Sequence, residues 1–326
     1  MSLPPSDHFN GKTFFNRDHV NRSLAEIWRW KRTSRPLPWP KHVALTPHPA
    51  PPAPRDDEIV ITWIGHATFL LQTTRGNFLT DPQFSARCGP FGLLGPKRVQ
   101  PPALALGALP RIDAILLSHD HYDHCDLASL RALGRRDQPQ VITGLGMRPL
   151  VARAGLTTVH ELDWWQAYRF SGDTTVTFTP ARHWSNRLSA PRNSRLWGGF
   201  CLRVGRTQGW FAGDTGYDAD LFHQIRQRLG APDVAMIPIG AYEPRWFMAA
   251  QHCNPEEAVR IHREVGAKLS LAMHWGTWQL TDEARDDPPL ALNVARQSQG
   301  IPGDEFRAVD AGASVVVSTP WIHSPG

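Results

Sequence analysis

The run His119-Asp120-His121-Tyr122-Asp123-His124 is the stretch of this sequence that decides its fold. It follows Ile112 to Ser118, an apolar segment typical of a buried strand, and it precedes Leu127 to Leu133, which begins like a helix capped by Asp126. The run therefore lies in a loop between a strand and a helix. Histidine and aspartate are ligands that zinc accepts, and an extended loop can direct them toward two neighbouring ions. The sequence predicts a metal site in this loop.

Further ligands must come from elsewhere, because one loop cannot enclose two metal ions. Three candidates each come directly after an apolar run that resembles a strand: His183, Asp214 and His274. Taken singly, each has an ordinary interpretation as a polar loop residue or a capping aspartate. Their recurrence at corresponding strand ends favours a site shared with His119 instead.

The rest of the chain divides into two parts that differ in composition and hydrophobic pattern. Residues 1–56 are rich in Pro, Arg, Trp and His and predict an extended arm with one short helix near Ser23 to Trp30. From Ile59 onward, short apolar and β-branched runs alternate with helical patterns, which predicts a layered α/β domain. We therefore expect an N-terminal arm over residues 1–56 and a single domain over residues 57–326.

Composition places the chain among globular proteins, with 326 residues, of which 41% are hydrophobic and 20% charged. The net charge of +5, carried mostly by arginine, suits phosphate esters, anionic lipid or nucleic acid without selecting one of them. Genome composition is the preferred explanation of the arginine content. No nucleic-acid-binding module is recognisable, which makes nucleic acid an unfavoured partner. The four cysteines lie far apart, which argues against a disulfide scaffold and favours a reducing compartment.

The sequence shows no basic segment followed by an apolar run at its N-terminus and no apolar stretch long enough to span a bilayer. We therefore expect a cytoplasmic protein without a signal peptide or transmembrane helix, whose membrane contact would be peripheral, on the inner membrane face. The arm tryptophans Trp28, Trp30 and Trp39 suit either a bilayer interface or packing against the domain or a homodimer partner, and packing is the preferred interpretation.

The pattern H-x-H-x-D-H, followed by a distant His, a Gly-Asp and a late His, resembles the metallo-β-lactamase superfamily. Longer segments resemble one of its families, the N-acylphosphatidylethanolamine-hydrolysing phospholipases D, over roughly residues 60–310. These segments are Trp63 to Thr68, Leu79 to Pro82, Gly95 to Arg98, Glu161 to Trp165, Phe211 to Tyr217 and Ile239 to Met248. The resemblance suggests a bacterial member of that family.

The resemblance implies a four-layer αββα metallo-β-lactamase sandwich that holds two zinc ions, with iron or manganese as alternative metals. Carried over by position, it assigns three histidines to one ion, Asp123 and two further histidines to the other, and one aspartate to both. The first set is His119, His121 and His183; the second is Asp123, His124 and His274; the bridging residue is Asp214.

The implied activity is zinc-dependent phosphodiester hydrolysis of phospholipase D type. N-acylphosphatidylethanolamine-like phospholipids would be cleaved to N-acylethanolamine and phosphatidate by a hydroxide that bridges the metals. Asp214 and His252 are the implied catalytic residues, with His252 beside the phosphate as a hydrogen-bond donor or a general acid. An ordinary loop histidine before the helix that begins at Pro255 is the alternative for His252.

Substrate-binding candidates are Tyr122, Gln251, His252, Tyr242 and Arg245. Packing over the sheet edge explains Tyr242 as well, and an ion pair with Glu243 or another acid explains Arg245 as well. His66 is expected to support the metal loop, and Asp120 to orient a histidine.

Three other functions stay open at this level. The same site could hydrolyse another ester, a lactone or another phosphodiester, because a fold does not fix its substrate. A nuclease is a weaker alternative that rests on basic charge and the wider superfamily. A lipid-binding protein without activity would require that the chain hold no metal.

Overall fold

The computed structural model of the chain describes residues 6–18, 22–188 and 190–318. Residues 1–5 and 19–21 of the predicted arm and residues 319–326 of the predicted domain lie outside the described residues, as does Ser189.

The strands of the described chain build two sheets. In chain order they are β1 (Glu58–Gly65), β2 (Thr68–Thr73), β3 (Gly76–Thr80), β4 (Ala114–Leu117), β5 (Gln140–Gly144), β6 (Val159–Leu162), β7 (Ala167–Ser171), β8 (Thr174–Thr179), β9 (Gly199–Val204), β10 (Thr207–Phe211), β11 (Val234–Pro238), β12 (Leu269–Met273), β13 (Phe306–Arg307) and β14 (Ser314–Ser318). The first sheet has the order β14-β1-β2-β3-β4-β5-β6, and the second has the order β13-β12-β11-β10-β9-β8-β7.

Seven α-helices accompany these sheets in the described chain. They are α1 (Leu24–Thr33), α2 (Leu127–Asp137), α3 (Arg148–Ala152), α4 (Ala219–Leu229), α5 (Arg245–Met248), α6 (Pro255–Val265) and α7 (Asp287–Ser298). Of these, α2, α4 and α6 pack on the sheets. Leu130 and Leu133 of α2 join an apolar cluster with Leu117 of β4 on the first sheet. Phe222 of α4 and Ile261 of α6 join the main core on the second.

The main core lies between the two sheets, where Phe69 of β2 meets Phe211 of β10 edge to face at 6.5 Å between ring centroids. Helix, sheet, sheet and helix layers therefore follow one another, which confirms the predicted αββα arrangement. Within the described residues, no helix has the length and apolar character needed to cross a bilayer.

Both sheets mix strand directions in a way that gathers loops at one edge. The pairs β3–β4 and β4–β5 are parallel in the first sheet, as are β10–β11 and β11–β12 in the second. The carboxyl ends of parallel strands meet at the same edge of a sheet, and this is where ligands bind in open α/β sheets. The loops that follow β4, β10 and β12 carry His119, Asp214 and His274 to that edge.

The N-terminal arm contacts the body through buried and stacked side chains. Phe14 is fully buried, and Trp30 of α1 stacks on Phe247 with ring centroids 4.9 Å apart. The indole of Trp39 donates a hydrogen bond to the carbonyl of Glu283 at 2.9 Å. The preferred packing interpretation therefore fits Trp30 and Trp39, whereas Trp28 is exposed.

Candidate metal centre

Three of the predicted histidines point ring nitrogens at one another. His119 Nε2 lies 3.0 Å from His121 Nδ1, and His183 Nε2 lies 3.2 Å from the same nitrogen. Asp214 Oδ2 faces this group, 3.6 Å from His183 Nε2 and 3.9 Å from His119 Nε2. Three nitrogens and one carboxylate oxygen at these separations have the composition and spacing of a tetrahedral divalent-metal site.

A second group adjoins the first through the other half of the loop. Asp123 Oδ2 lies 3.5 Å from His124 Nε2 and 3.3 Å from His274 Nε2. His66 Nε2 approaches the same oxygen at 3.0 Å. The four residues form a second cluster that could hold an ion.

Asp214 lies between the two groups. Its Oδ2 is 3.1 Å from His124 Nε2, and its Oδ1 is 3.2 Å from His274 Nε2. The same Oδ2 faces the first group, so one carboxylate touches both. This position suits an oxygen ligand shared by two ions.

Several buried donor atoms of the centre have no hydrogen-bond partner among the described residues, which fits the binding of divalent cations. Nothing in the described part of the chain hydrogen bonds to the buried atoms His124 Nε2, His274 Nε2 and Asp214 Oδ1. Buried polar atoms without partners are costly, and nitrogen and oxygen lone pairs are the groups that a metal ion satisfies.

The electrostatics of the centre also favour bound positive charge. Burial and neighbouring imidazoles lower the pKa of His119 well below its usual value, and burial lowers that of His183 to about 3, so both rings are neutral near pH 7. Burial also disfavours charge on His124 and His274, yet the carboxylates of Asp214 and Asp123 outweigh it. They raise the pKa of His274 to about 9 and that of His124 well above its usual value. The two carboxylates thus draw cations into a buried space.

The second ring nitrogen of several histidines is held by the protein. His124 Nδ1 lies 2.7 Å from Asp81 Oδ2, and His183 Nδ1 donates to the carbonyl of Gln251 at 2.9 Å. His119 Nδ1 lies 2.8 Å from Ser118 Oγ, which itself donates to Asp81. Such partners fix the tautomer and orientation of metal-binding imidazoles.

Asp81 is a residue that sequence reasoning missed as part of the site. Its carboxylate accepts from the backbone N–H of Ser118 at 2.7 Å and from the hydroxyl of Ser118 at 2.6 Å, besides its contact with His124. It stands directly after β3, inside the segment Leu79 to Pro82. The sequence pattern that identified His119 and Asp214, a polar residue directly after an apolar strand, also marks Asp81.

His66 contacts Asp123 of the metal loop, and its supporting role stays a prediction. Its Nε2 contacts Asp123 at 3.0 Å, and its ring lies 4.1 Å from that of His274. Burial lowers the pKa of His66 to about 3, so the neutral ring donates its Nε2 proton to Asp123. The residue adopts a left-handed backbone with φ 52°, which turns the chain sharply after β1.

The role expected for Asp120, that of orienting a histidine, is wrong. Its carboxylate accepts from Arg195 Nη1 at 2.7 Å and from the backbone N–H of Asn186 at 2.8 Å. Arg187 donates to its carbonyl at 2.9 Å. Asp120 therefore ties the metal loop to the segment that follows His183, because its carboxylate and carbonyl accept from residues of that segment.

His252 borders the centre in the loop before α6. Its Nδ1 lies 4.0 Å from Asp214 Oδ2 and has no hydrogen-bond partner among the described residues. Burial lowers the pKa of His252 to about 3, so the ring is neutral near pH 7. The adjacent Gln251 meets His183 through its backbone carbonyl, while its side-chain amide faces Met248 Sδ at 3.7 Å.

Arg245, one of the substrate-binding candidates, is engaged within the protein. It donates to Glu257 at 2.8 Å and to the carbonyl of His252 at 2.9 Å, so its charge is neutralised and the guanidinium positions the His252 loop. Tyr242 is buried, and its backbone N–H donates to Glu283 at 3.2 Å. The pairing of Arg245 does not support direct substrate binding, whereas substrate contact by the Tyr242 side chain stays a prediction.

Tyr122 lies at the partly exposed side of the metal loop. It lines a cavity of about 500 Å³, and Arg187 stacks over its ring with the guanidinium carbon 4.1 Å from the centroid. Two further neighbours were not predicted: Trp184 packs edge to face on His121 at 4.4 Å, and Asn16 of the arm donates to the carbonyl of His183 at 2.6 Å.

Comparison with known proteins agrees with this geometry. Residues 76–275 match the family model of the β-lactamase superfamily domain. An N-acyl-phosphatidylethanolamine-hydrolyzing phospholipase D from Caenorhabditis elegans is 38% identical over 263 residues, which cover 77% of this chain and 74% of the relative. A mitochondrial enzyme of the same description from Saccharomyces cerevisiae is 35% identical over 74% of this chain and 52% of its own length. A metallo hydrolase from the archaeon Ignicoccus hospitalis shares the fold, with a TM-score of 0.60 at 18% identity over 81% of this chain and all of the other.

Proposed function

This chain belongs to the β-lactamase superfamily, as a metallo-hydrolase-fold homologue of N-acyl-phosphatidylethanolamine-hydrolysing phospholipase D, and from that premise we propose that it is a zinc-dependent phosphodiesterase acting on phospholipids. The proposed reaction converts an N-acylphosphatidylethanolamine-like lipid to an N-acylethanolamine and a phosphatidate. The observation that carries the proposal is the position of Asp214, whose two oxygens face two adjacent clusters of histidine and aspartate.

Seven residues would hold the two metal ions. His119, His121 and His183 would bind one ion, Asp123, His124 and His274 the other, and Asp214 both. Nitrogen and carboxylate donors without thiolates suit zinc, and they suit iron or manganese as well. Two bound divalent ions would supply Lewis acidity for a phosphoryl oxygen and lower the pKa of a water molecule.

His252 would hydrogen bond to a phosphate oxygen or transfer a proton. Its unpaired Nδ1 borders Asp214, and the ring is neutral, so it can offer an N–H to an oxygen of the diester or exchange a proton with the departing alcohol. The backbone around it is fixed, because Arg245 holds its carbonyl and Asn254 caps α6 two residues later. A positioned ring of this kind contributes orientation as well as proton transfer.

The reaction is tested by the products that the metal-reconstituted protein forms. N-acylphosphatidylethanolamine, ordinary phosphatidylethanolamine and bis-p-nitrophenyl phosphate are offered in parallel, with a lactone and a cephalosporin as substrates for carbonyl attack. Mass spectrometry should find phosphatidate and N-acylethanolamine. Release of a fatty acid, or turnover of the lactone or cephalosporin alone, would replace the proposal with another hydrolase activity.

The role of His252 is tested separately with His252→Ala. We expect a slower diesterase, while both metals stay bound. His223→Ala removes an exposed histidine of α4 and serves as the matched control. An unchanged rate and pH profile in His252→Ala would remove this residue from the mechanism.

A further inference from the structure

The backbone carbonyl of the metal candidate His183 is held by the N-terminal arm. His183 is only 1% exposed, and its carbonyl accepts a hydrogen bond from Asn16 Nδ2 at 2.6 Å, across 167 positions of sequence. Within the described part of the chain, no other donor bonds to this carbonyl. A buried carbonyl without a partner is costly, so the amide of Asn16 fixes this peptide group where it lies.

The direction of the His183 ring depends on that peptide group. The residue lies in the loop after β8, where no sheet hydrogen bonds orient the backbone, and its N–H makes only a tight turn onto the carbonyl of Ala181 at 3.1 Å. Its Nδ1 donates to the carbonyl of Gln251 at 2.9 Å, and its Nε2 faces His121 Nδ1 and Asp214 Oδ2 at 3.2 and 3.6 Å. A shift of the peptide group would therefore carry Nε2 away from its partners.

The part of the arm that carries Asn16 is itself anchored on the body. We call residues 6–18 the N-terminal segment. Phe14 belongs to the main core, and its N–H donates to the carbonyl of Asn193 at 2.7 Å. Phe9 pairs with Phe14 through an antiparallel bridge, and His8 stacks on Trp164 with ring centroids 3.9 Å apart. The segment is therefore fixed two residues before the bond to His183.

We propose that Asn16 is a positioning residue of the metal centre, which sets the imidazole of His183 by holding its carbonyl. The ion that His183 would bind with His119 and His121 is called the first ion, and the ion of the Asp123 cluster the second. The inference rests on the proposed function for the presence of these ions, and it deepens that function by making the arm a part of the centre. It concerns the first ion alone, because the second ion has no ligand from this loop.

The coupling acts in both directions. An ion that needs His183 in one position is bound more tightly when the N-terminal segment is in place. By linkage, the bound ion stabilises the docked segment by the same factor. Loading the protein with zinc should therefore tighten the arm as well as the ligands.

A cavity beside Asn16 distinguishes positioning from folding. Asn16 lines a cavity of about 600 Å³ between the arm and the body, together with Trp165, Arg182 and Arg228. Without the amide, water from this cavity can reach the carbonyl of His183 and satisfy it. Such a water restores the hydrogen bond but not the fixed position. Loss of Asn16 should therefore cost metal affinity more than it costs stability.

The direct test is chelator competition on the full chain with zinc. Asn16→Ala removes the donor, and Asn16→Asp keeps the shape but turns an oxygen toward the carbonyl. Both should lower the affinity for the first ion about 10-fold and leave the second ion unchanged, with the larger loss in Asn16→Asp. Asn10→Ala is the matched control, because this amide belongs to the same segment and accepts from the N–H groups of Lys12 and Thr13 instead of contacting the centre. It should bind both ions like the parent chain.

The two ions are told apart in backgrounds that keep one site each. Asp123→Ala leaves the first ion, and His183→Ala leaves the second. Asn16→Ala should lower zinc affinity about 10-fold in the first background and have no effect in the second. An equal effect in both would indicate a general loss of stability and overturn the proposal.

Hydrogen exchange of the parent chain tests the coupling without any variant. The N–H groups of Phe14 and Phe15 bond to the carbonyls of Asn193 and His8 at 2.7 and 3.0 Å, so their exchange reports opening of the segment. We expect zinc to slow this exchange about 10-fold relative to the chelated protein, and to have no such effect in Asn16→Ala.

Thermal midpoints of the metal-free variants show that each is folded. Parent affinity for both ions in Asn16→Asp, an equal loss in Asn10→Ala, or exchange in the parent chain that does not depend on zinc would overturn the proposal. Failure of the proposed function looks different, because zinc affinity and exchange would then follow these expectations while no phospholipid is hydrolysed.

Discussion

Replacing Asp81 by asparagine should weaken metal binding although Asp81 itself would touch no metal. Oδ1 of Asp81 accepts from the Ser118 N–H at 2.7 Å, while Oδ2 accepts from the Ser118 hydroxyl at 2.6 Å and from His124 Nδ1 at 2.7 Å. The backbone N–H is a fixed donor, so the amide oxygen of asparagine must take the Oδ1 position. The amide NH₂ then faces His124 Nδ1 and forces that nitrogen to become the acceptor.

This exchange moves the imidazole proton of His124 from Nδ1 to Nε2. A proton on Nε2 occupies the lone pair that faces Asp214 at 3.1 Å, which is the lone pair a metal would use. Loss of a carboxylate that orients a metal-binding histidine typically costs 10- to 100-fold in affinity, or about 1.4 to 2.7 kcal/mol. The weakened ion should be the one held with Asp123, because His124 belongs to that cluster.

The assay is competition with a chromophoric chelator, which reports the affinity of each of the two ions. Asp126→Asn is the matched control, since this buried aspartate also lies by the metal loop but bonds to Ser85, Ser129 and α2 rather than to a histidine. Asparagine caps a helix about as well as aspartate does, so this control should stay folded and leave metal affinity unchanged. Two ions bound to Asp81→Asn with the affinity of the parent chain would refute the tautomer argument.

Three further outcomes are expected. Removal of the metal ions by a chelator should lower the thermal midpoint by about 5 °C or more, because ions that bind only the folded state stabilise it. An unchanged midpoint would speak against a structural contribution of the metals. Asp214→Asn should lower bound metal from two ions to about one and strongly reduce diesterase rate, and full retention of both would exclude a shared ligand at this position. His8→Gln should lower the midpoint near pH 6 and have little effect near pH 9. Burial lowers the pKa of His8, but Asp163 and Asp7 at 2.9 and 2.7 Å raise it overall, so its stabilisation is complete below the unfolded pKa and is lost as pH rises through the folded one. Equal destabilisation at both pH values would contradict the ion pair.

The metal candidates could be found from sequence because each ends an element with a strong local pattern. His119, Asp214 and His274 follow β4, β10 and β12, whose residues are nearly all buried and therefore read as continuous apolar runs. Parallel pairing then brings those strand ends to one edge. Asp81 obeys the same rule after β3 and was predictable by it.

Elements with weaker patterns escaped prediction for physical reasons. β7 is an edge strand whose residues are exposed or half-buried, and β13 has two residues, so neither shows an apolar run. β5 is different, because its buried residues Val141, Ile142 and Thr143 have the composition of a core strand. This strand could have been predicted from the sequence.

The partners of long polar side chains were not predictable, because no local pattern encodes them. Arg245 of α5 reaches Glu257 of α6, and Asp120 reaches Arg195, which lies 75 residues later in the chain. Such pairs depend on how loops fold back over the sheet edge. A charged residue near a site is therefore weak evidence of substrate binding until its partner is known.

Metal binding and substrate choice are built by different parts of this molecule. The candidate ligands stand at the ends of buried strands, where the fold fixes them, whereas Phe91, Leu188 and the surrounding arginines stand on loops that the sheets merely support. Changes in these loops should alter which substrates the protein accepts while leaving metal content intact, whereas Asp81→Asn should lower metal affinity. Tyr122 lies between the two sets, because it stands in the metal loop and lines a cavity with Phe91 and Leu188. Tyr122→Ala should therefore keep both ions and lower the rate of phospholipid hydrolysis more than the rate on soluble bis-p-nitrophenyl phosphate, whereas an equal fall in the two rates would place Tyr122 in the chemistry instead.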